Sequence, residues 1–230
     1  MKDKVFKTIG IVLTSILAFV FIASLAGFIA LPLVTFIIIM VPDIIFLAIL
    51  ITRYKRKSYL AFFICSIVFF EVMTFHIFFW GMFHMPVYVY SSWQYPIALS
   101  YSNDFKSVDT ILPEELPESA RDIRFEFMPT ILQGGGHTAV GFTADEDYVK
   151  DLEDKLKTQA IHTGTFNEYG GLILTNMEED SDKGVYLWEG NIHEEHPDAK
   201  VYVTYSNYNW NHPHSKAVFI DGNYVFFSEE

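Results

Sequence analysis

The chain has 230 residues, which is enough for one large domain or two smaller parts. Residues 1–96 contain 7 Lys and Arg against 3 Asp and Glu residues, whereas residues 97–230 contain 9 against 25, a formal charge of −16. Because so acidic a segment repels nucleic acid and anionic lipid head groups and attracts cations or basic peptides, DNA and RNA binding are excluded.

Apolar sequence runs almost without interruption from Ile9 to Thr52, and a further run extends from Tyr59 to Phe83. One membrane span takes about 20 apolar residues, and Pro32 divides the first run. The sequence therefore predicts an anchor over residues 1–96, with membrane helices near 8–29, 33–52 and 59–83. A rival interpretation makes residues 1–26 a cleaved signal peptide, but it leaves the rest of the first run unexplained.

Basic residues suggest how these helices are oriented. They cluster before the first helix, at Lys2, Lys4 and Lys7, and after the second, at Arg53–Lys57. Cytoplasmic loops are enriched in Lys and Arg, so the sequence predicts a plasma membrane protein with a cytoplasmic N-terminus and an extracytoplasmic C-terminal domain. An aromatic belt is expected at the outer interface, formed by Trp80, Tyr88, Tyr90, Trp93 and Tyr95.

Two carboxyl groups lie within the apolar runs. Asp43 is ten residues before Arg53 and Glu71 is fourteen residues after Lys57, about 15 and about 21 Å into the membrane at 1.5 Å per residue. Both are expected to face the interior of the helix bundle and to be protonated or to share a proton. They indicate either a proton- or cation-linked site or a structural role, in which Asp43 bonds backbone groups freed by Pro42 and Glu71 joins helices.

Small residues recur four positions apart in the first helix, at Ala23 and Gly27 and at Ala26 and Ala30. This spacing lets helices approach each other closely. It indicates either contact with the second helix, which is favoured, or self-association of the chain into a homo-oligomer.

The acidic part begins with a predicted linker over residues 97–118, where Ser, Asp, Glu and Pro are frequent. Alternation predicts a strand at 122–127 and a returning strand at 138–143, with Gly134–Gly136 as the turn between them. Residues 145–157 predict a helix, whose apolar side is formed by Tyr148, Leu152 and Leu156.

Later strands are predicted at 185–188, 200–205, 217–220 and 224–227, the last two joined by an Asp221-Gly222-Asn223 hairpin. Residues 119–230 are therefore predicted to form an α+β domain, a mainly antiparallel sheet with at least one covering helix.

The segment Leu116-Pro117-Glu118-Ser119-Ala120-Arg121-Asp122-Ile123, followed by a strand that ends in Phe142 and by a helix, matches a P-x-S-A-x-D/N-I/V pattern. Over about 40 residues it resembles a module of uncharacterised bacterial membrane-anchored proteins and lipoproteins, where the pattern opens a small sheet-and-helix unit. The resemblance implies a bacterial cell-surface protein and carries no activity. Pro117, Ser119 and Ala120 are expected to shape the entry into the first strand.

The densest histidine clusters are His193-Glu194-Glu195-His196 and His212-Pro213-His214. Imidazole and carboxylate groups together bind Zn²⁺, Cu²⁺ or Ni²⁺, so these four histidines form a hypothetical divalent-metal site. Their H-x-x-H spacing lies on a predicted loop and is not the helical H-E-x-x-H of metallopeptidases. An extracytoplasmic pH sensor and simple solvated loop residues are the alternative interpretations.

The polar and aromatic loop from Asn207 to His214 offers Tyr208 and Trp210 either as a recognition patch or as residues packed on the sheet. No motif indicates catalysis, because the single cysteine, Cys65, lies in an apolar run and no serine occupies a G-x-S-x-G turn. The protein is therefore predicted not to be an enzyme.

Three functions follow from these patterns. The first is a membrane-anchored surface binding or accessory protein, for instance an immunity-type protein, whose acidic domain contacts a protein or a cationic peptide. The second is a small-solute or proton-linked membrane component that uses Asp43 and Glu71. The third is a metal- or pH-responsive surface sensor that uses the outer-side histidines.

Overall fold

The computed structural model describes residues 2–31, 34–82, 87–103, 110–129, 136–175, 185, 187–188, 190–207 and 214–230. The chain divides into a helical unit, Met1–Met85, and a sheet unit, Pro86–Glu230. This division lies eleven residues before the predicted end of the anchor, because the chain enters the sheet unit directly after the third helix.

The helical unit consists of α1 (Lys2–Ala30), α2 (Val34–Lys55) and α3 (Tyr59–Met82). All three helices are long and apolar enough to cross a membrane, which confirms the three predicted apolar helices. The end of α2 is fixed by two hydrogen bonds, from the N–H of Lys57 to the carbonyl of Tyr54 and from the N–H of Ser58 to the carbonyl of Arg53. Lys57 adopts the left-handed conformation that such a helix end requires.

The three helices pack around a small apolar core formed by Leu17, Ile39, Leu50, Phe62 and Met73. Glycines allow the close contacts. A Cβ at Gly10 would overlap the ring of Phe62 on α3, and a Cβ at Gly27 would overlap the ring of Phe36 on α2. The predicted contact between Gly27 and the second helix is thus confirmed, while self-association stays a prediction.

The described residues of the sheet unit form an antiparallel sheet of eight strands in the order β1-β2-β3-β8-β7-β6-β4-β5. The strands are β1 (Val87–Val89), β2 (Arg121–Met128), β3 (His137–Thr143), β4 (His162–Phe166), β5 (Leu172–Thr175), β6 (Lys200–Asn207), β7 (His214–Asp221) and β8 (Tyr224–Glu229). Its helices are α4 (Tyr95–Asn103), α5 (Glu146–Gln159) and the single turn α6 (Ile192–Glu195). The predicted α+β class and the antiparallel sheet are confirmed.

Both faces of the central strands are buried, which is why β3, β6, β7 and β8 have nearly continuous apolar sequence. One face, here called the helix face, packs against α4 and α5, with Tyr95 against Phe125 and Tyr148 against Phe142. The opposite face, here called the loop face, packs against Leu187, Trp188 and α6 rather than a long helix.

Several predicted elements differ from the structure. Val185, Leu187 and Trp188 belong to no strand, because they cross over the loop face instead of pairing along it. The predicted linker contains the last residues of α4 and a buried Leu112, so it forms part of the core rather than a connection. Tyr95 is fully buried and donates its hydroxyl hydrogen to the Pro113 carbonyl at 2.6 Å, so it does not belong to an interfacial aromatic belt.

The P-x-S-A segment forms a turn, closed by a hydrogen bond from the N–H of Ala120 to the carbonyl of Pro117 at 2.9 Å, and β2 begins at the next residue. The hydroxyl of Ser119 accepts the N–H of Asp145, whose side chain caps the start of α5. The segment therefore does shape the entry into β2, and it also joins that entry to α5. Gly134 and Gly135 of the predicted turn lie outside the described residues.

Candidate functional site

The described part of the sheet unit has a cleft of about 300 Å³ on the loop face, a volume near the lower end of small-ligand sites. One wall is the sheet and the other is the segment from Trp188 to α6. We call it the aromatic cleft. It is lined by Tyr88, Tyr90, Arg124, Phe125, Glu126, Ala139, Trp188, Gly190, Asn191, Ile192, Glu195, Tyr224 and Phe226.

The cleft exists because the described residues cover the loop face only in part. Strand pairing places Tyr88 of β1 beside Glu126 of β2, and Glu126 beside Ala139 of β3. Ala139 and Gly141 are small, which leaves room above β3, and the ring of Tyr224 lies directly over Gly141. Gly190 adopts a positive φ of 56° where the covering segment turns toward α6, a conformation that favours glycine.

An ion pair forms part of the wall. One guanidinium nitrogen of Arg124 donates to both carboxylate oxygens of Glu195, at 2.9 and 3.2 Å. This contact joins β2 to α6. Burial raises the pKa of the nearby Tyr224 to about 12, although the charge of Arg124 lowers it, and the charge of Glu195 raises it slightly further. Its phenol therefore remains a hydrogen-bond donor at neutral pH.

A second polar group lies on the sheet side. Nε2 of His137 donates to Glu126 at 3.2 Å, and the imidazole stacks on Trp188 with 4.0 Å between ring centroids. Burial and the charge and hydrogen bonding of Glu126 raise the pKa of Tyr88. Glu126 thus fixes the positions of Tyr88 and His137, and His137 positions Trp188.

The cleft as a whole favours a cation. Its charged lining residues are Glu126, Glu195 and Arg124, and Arg124 is already paired with Glu195. Aromatic rings attract cations over their faces, and Tyr88 and Tyr90 are 41% and 67% exposed. The sheet unit adds a strongly negative field. A primary or quaternary ammonium group or a guanidinium group fits these surroundings.

The structure places the predicted histidine ligands apart from one another. His196 bonds Asp221 through Nδ1 at 2.9 Å and stacks on Tyr224, which makes it part of the support beneath the cleft. His193 lies against Phe166, and Nδ1 of His214 contacts the Glu230 carbonyl. In the part of the chain that the structure describes, no three His, Cys, Asp or Glu side chains converge as a metal site would need.

His212 lies outside the described residues, so metal binding stays a prediction. Tyr208 and Trp210 of the predicted recognition patch also lie outside them. That patch likewise stays a prediction, and nothing in the cleft depends on it.

The two carboxyl groups of the helical unit are not brought together. Asp43 is fully buried, and neither of its oxygens has a hydrogen-bond partner among the described residues. Glu71 is exposed on the outside of the unit, so the prediction that it faces the bundle interior is wrong. The reason is helical phase, because the buried positions of α3 are Phe62, Ser66 and Met73.

Asp43 also does not bond the backbone group that Pro42 frees. Proline has no N–H, so the carbonyl four residues earlier loses its helical partner. That carbonyl belongs to Ile38, and Nε2 of His76 on α3 contacts it at 3.1 Å. His76 therefore joins α3 to the proline position of α2, the role that one of the two interpretations of the sequence gives to Asp43.

The cleft is not predicted from the sequence, and of its residues only Glu195 lies in a cluster proposed for binding, that of His193 and His196. Tyr88 and Tyr90 were expected in a membrane interface, and Trp188 was expected in a strand. Arg124 and Glu126 occupy the polar positions of the alternating β2 segment, and this is the one signal that the sequence offered. Comparison with protein-family models, curated proteins and solved structures finds no match.

Proposed function

We propose that the protein is a membrane-anchored binding protein of the bacterial cell surface, and that its aromatic cleft holds a cationic group of the ligand. The three apolar helices supply an anchor by length and composition. The basic clusters at Lys2–Lys7 and Arg53–Lys57 support a cytoplasmic N-terminus and an extracytoplasmic sheet unit. The resemblance of the P-x-S-A segment supports a bacterial surface protein.

The observation that carries the proposal is the composition of the cleft. It combines exposed tyrosines, Trp188 and two carboxylates within an acidic unit. A lysine or arginine side chain of a peptide, or an alkylammonium group, would lie over the rings and near Glu126 and Glu195. Binding of this kind suits a surface receptor, an accessory protein or an immunity protein that captures a basic partner.

The proton-linked alternative is favoured by one observation only, the buried and unpartnered Asp43. A site shared by Asp43 and Glu71 requires the two carboxyl groups to be close, and the structure separates them. We therefore rank surface binding first.

The test uses the full-length chain in nanodiscs of uncharged lipid. Short glycine peptides with one central residue are titrated by calorimetry, and that residue is lysine, trimethyl-lysine, norleucine or glutamate. Norleucine has nearly the shape of lysine without its charge. Because a desolvated cation over aromatic rings gains up to about 2 kcal/mol, lysine and trimethyl-lysine should bind at least about tenfold more tightly than norleucine.

Two neighbouring carboxylates provide a matched control. Glu195→Gln removes a charge that lines the cleft and releases Arg124, so it should abolish the preference for lysine. Glu194→Gln changes the net charge equally at a side chain that is 70% exposed and does not line the cleft, and it should leave the preference unchanged. Equal binding of lysine and norleucine peptides, or equal losses in the two variants, would contradict the proposal.

A further inference from the structure

Glu71 lies halfway along α3, the third helix. It is residue 13 of the 24 in Tyr59–Met82, about 18 Å from the start of the helix. If α3 crosses a membrane whose apolar core is about 30 Å thick, this carboxyl group is too deep to reach water at either surface. The inference that follows depends on the proposed membrane insertion and not on the aromatic cleft.

The surface around Glu71 points away from the other two helices. One helical stripe of α3 contains Phe62, Ser66 and Met73, which are at most 2% exposed. The opposite stripe, here called the Glu71 face, contains Ile64, Ile67, Val68, Glu71 and Phe75, whose apolar members are 40–69% exposed. Glu71 forms no hydrogen bond or ion pair with any residue that the structure describes.

The apolar runs of the sequence contain no lysine or arginine that could neutralise this carboxyl group. No lysine or arginine occurs between Lys57 and Lys106, or between Lys7 and Arg53. The basic residues of the helical unit therefore lie at its helix ends. Ionisable side chains inside membranes are costly unless they pair with an opposite charge or face a polar cavity.

We propose that the Glu71 face binds a transmembrane helix of another protein, which carries a lysine or arginine at mid-membrane depth. Charge complementarity decides this choice of partner. A second copy of the chain would bring a second carboxyl group to the same place, whereas a basic helix supplies both the missing charge and the missing hydrogen-bond donor. The flanking Ile67 and Val68 are branched at Cβ and have few rotamers to lose when a helix packs on them.

The experiment measures energy transfer in vesicles of uncharged phosphatidylcholine. The full-length chain carries a donor dye at its N-terminus, and synthetic polyleucine helices carry an acceptor. One helix has a central lysine and the other has only leucine. Model helices gain about 1–2 kcal/mol from one polar contact in a membrane, so the lysine helix should associate with the chain roughly tenfold more tightly than the leucine helix.

Three variants separate the proposed contact from general effects. Glu71→Leu should reduce association with the lysine helix to the level of the leucine helix, and Glu71→Asp should retain the preference. Asp43→Asn removes the other membrane carboxyl, which is buried, and should also retain it. Circular dichroism of each variant confirms that the helices have formed.

Two results would overturn the inference. One is equal association of the lysine and leucine helices with the wild-type chain. The other is that the wild-type chain self-associates, shows no preference for the lysine helix, and loses this self-association in Glu71→Leu. That result would identify a second copy of the chain as the occupant of the Glu71 face. Vesicle flotation is measured in parallel: a chain that does not float with lipid refutes membrane anchoring itself, whereas a chain that floats without lysine preference refutes only the Glu71 contact.

Discussion

Glu153 of α5 is the residue that ties this helix to the sheet through polar contacts. Its Oε1 accepts the hydroxyl of Tyr202 at 2.7 Å and the ammonium of Lys200 at 3.0 Å, both on β6. These two hydrogen bonds lower the pKa of Glu153 below its ordinary 4.5. The folded chain therefore favours the ionised form of Glu153. The stabilisation that Glu153 provides is present above pH 4.5 and is lost as the pH falls through the lowered pKa.

Glu153→Gln should therefore reduce the free energy of unfolding of the sheet unit by about 1–2 kcal/mol at pH 7, the usual scale for hydrogen bonds to a charged group. The difference from the wild type should shrink as the pH falls below 4.5. Urea denaturation in detergent micelles, followed by near-ultraviolet circular dichroism, measures both. Asp154→Asn is the control, because its pair with Lys157 is more than half exposed and should contribute little. A pH-independent loss in Glu153→Gln would contradict this account.

Burial of a single residue could be predicted from the sequence where its position along an apolar run is enough to decide it. Depth in an apolar run predicted that Asp43 would be buried, and Asp43 lies four residues after Ile39 and seven before Leu50, both core residues. The same argument failed for Glu71 because depth along a helix does not specify which side the residue occupies. Periodicity is nearly absent in α3, where almost every residue is apolar, so only packing with α1 and α2 reveals that side.

Pro42 and His76 join two helices through one backbone carbonyl. The contact of His76 with the carbonyl of Ile38 should stabilise the unit because Pro42 leaves that carbonyl without its helical donor. His76→Leu is therefore expected to destabilise the helical unit by about 1 kcal/mol, typical of a hydrogen bond between membrane helices. In a Pro42→Ala background, residue 42 regains an N–H for that carbonyl, and the same His76→Leu change should cost much less.

Thermal unfolding of the four chains in micelles, followed by far-ultraviolet circular dichroism, measures this coupling as a double-mutant cycle. The control is Phe75→Leu, a change at the neighbouring side chain, which is 69% exposed. It should alter the stability of the helical unit equally with Pro42 and with Ala at position 42. If His76→Leu costs the same with and without Pro42, the imidazole stabilises α3 by packing and not through the Ile38 carbonyl.

Elements with a strong local signal were predictable, and those that depend on partners were not. β2 alternates, and α5 has Asp145 at its N-cap and Lys157 in its last turn, so both could be read from local sequence. β4 contains glycine and threonine, β5 ends in threonine, and they have only five and four residues, so they become strands through pairing, β4 with β6 and β5 with β4. β1 has three residues next to an apolar helix, and its pairing with β2 is a long-range contact that no local pattern encodes.

At the scale of the whole molecule, the boundary between the two units decides which residues belong to the sheet. The structure assigns β1 and α4 to the sheet unit, and these elements contribute Val87, Val89 and Tyr95, all of them fully buried. Composition alone suggested a later boundary, because aromatic residues before residue 97 continue the apolar character of α3. Tyr88 and Tyr90 accompany β1, so the cleft also requires the earlier boundary.

A fragment covering residues 86–230 should therefore fold without the helical unit, whereas a fragment covering 97–230 should be much less stable or unfolded. The shorter fragment lacks β1, which exposes the edge of β2, and it lacks Tyr95, which packs on Phe125 and bonds the Pro113 carbonyl. Loss of one large buried aromatic side chain alone costs about 3–5 kcal/mol.

Urea denaturation and amide NMR spectra of the two fragments measure this difference. Tyr95→Phe in the longer fragment serves as the graded control, because it removes only the hydrogen bond to Pro113 and should cost about 1 kcal/mol. Equal stability of the two fragments would mean that β1 and the first two residues of α4 add nothing to the sheet unit. In that case Tyr88 and Tyr90 would have no fixed place beside Glu126, and the cleft would lose one of its walls.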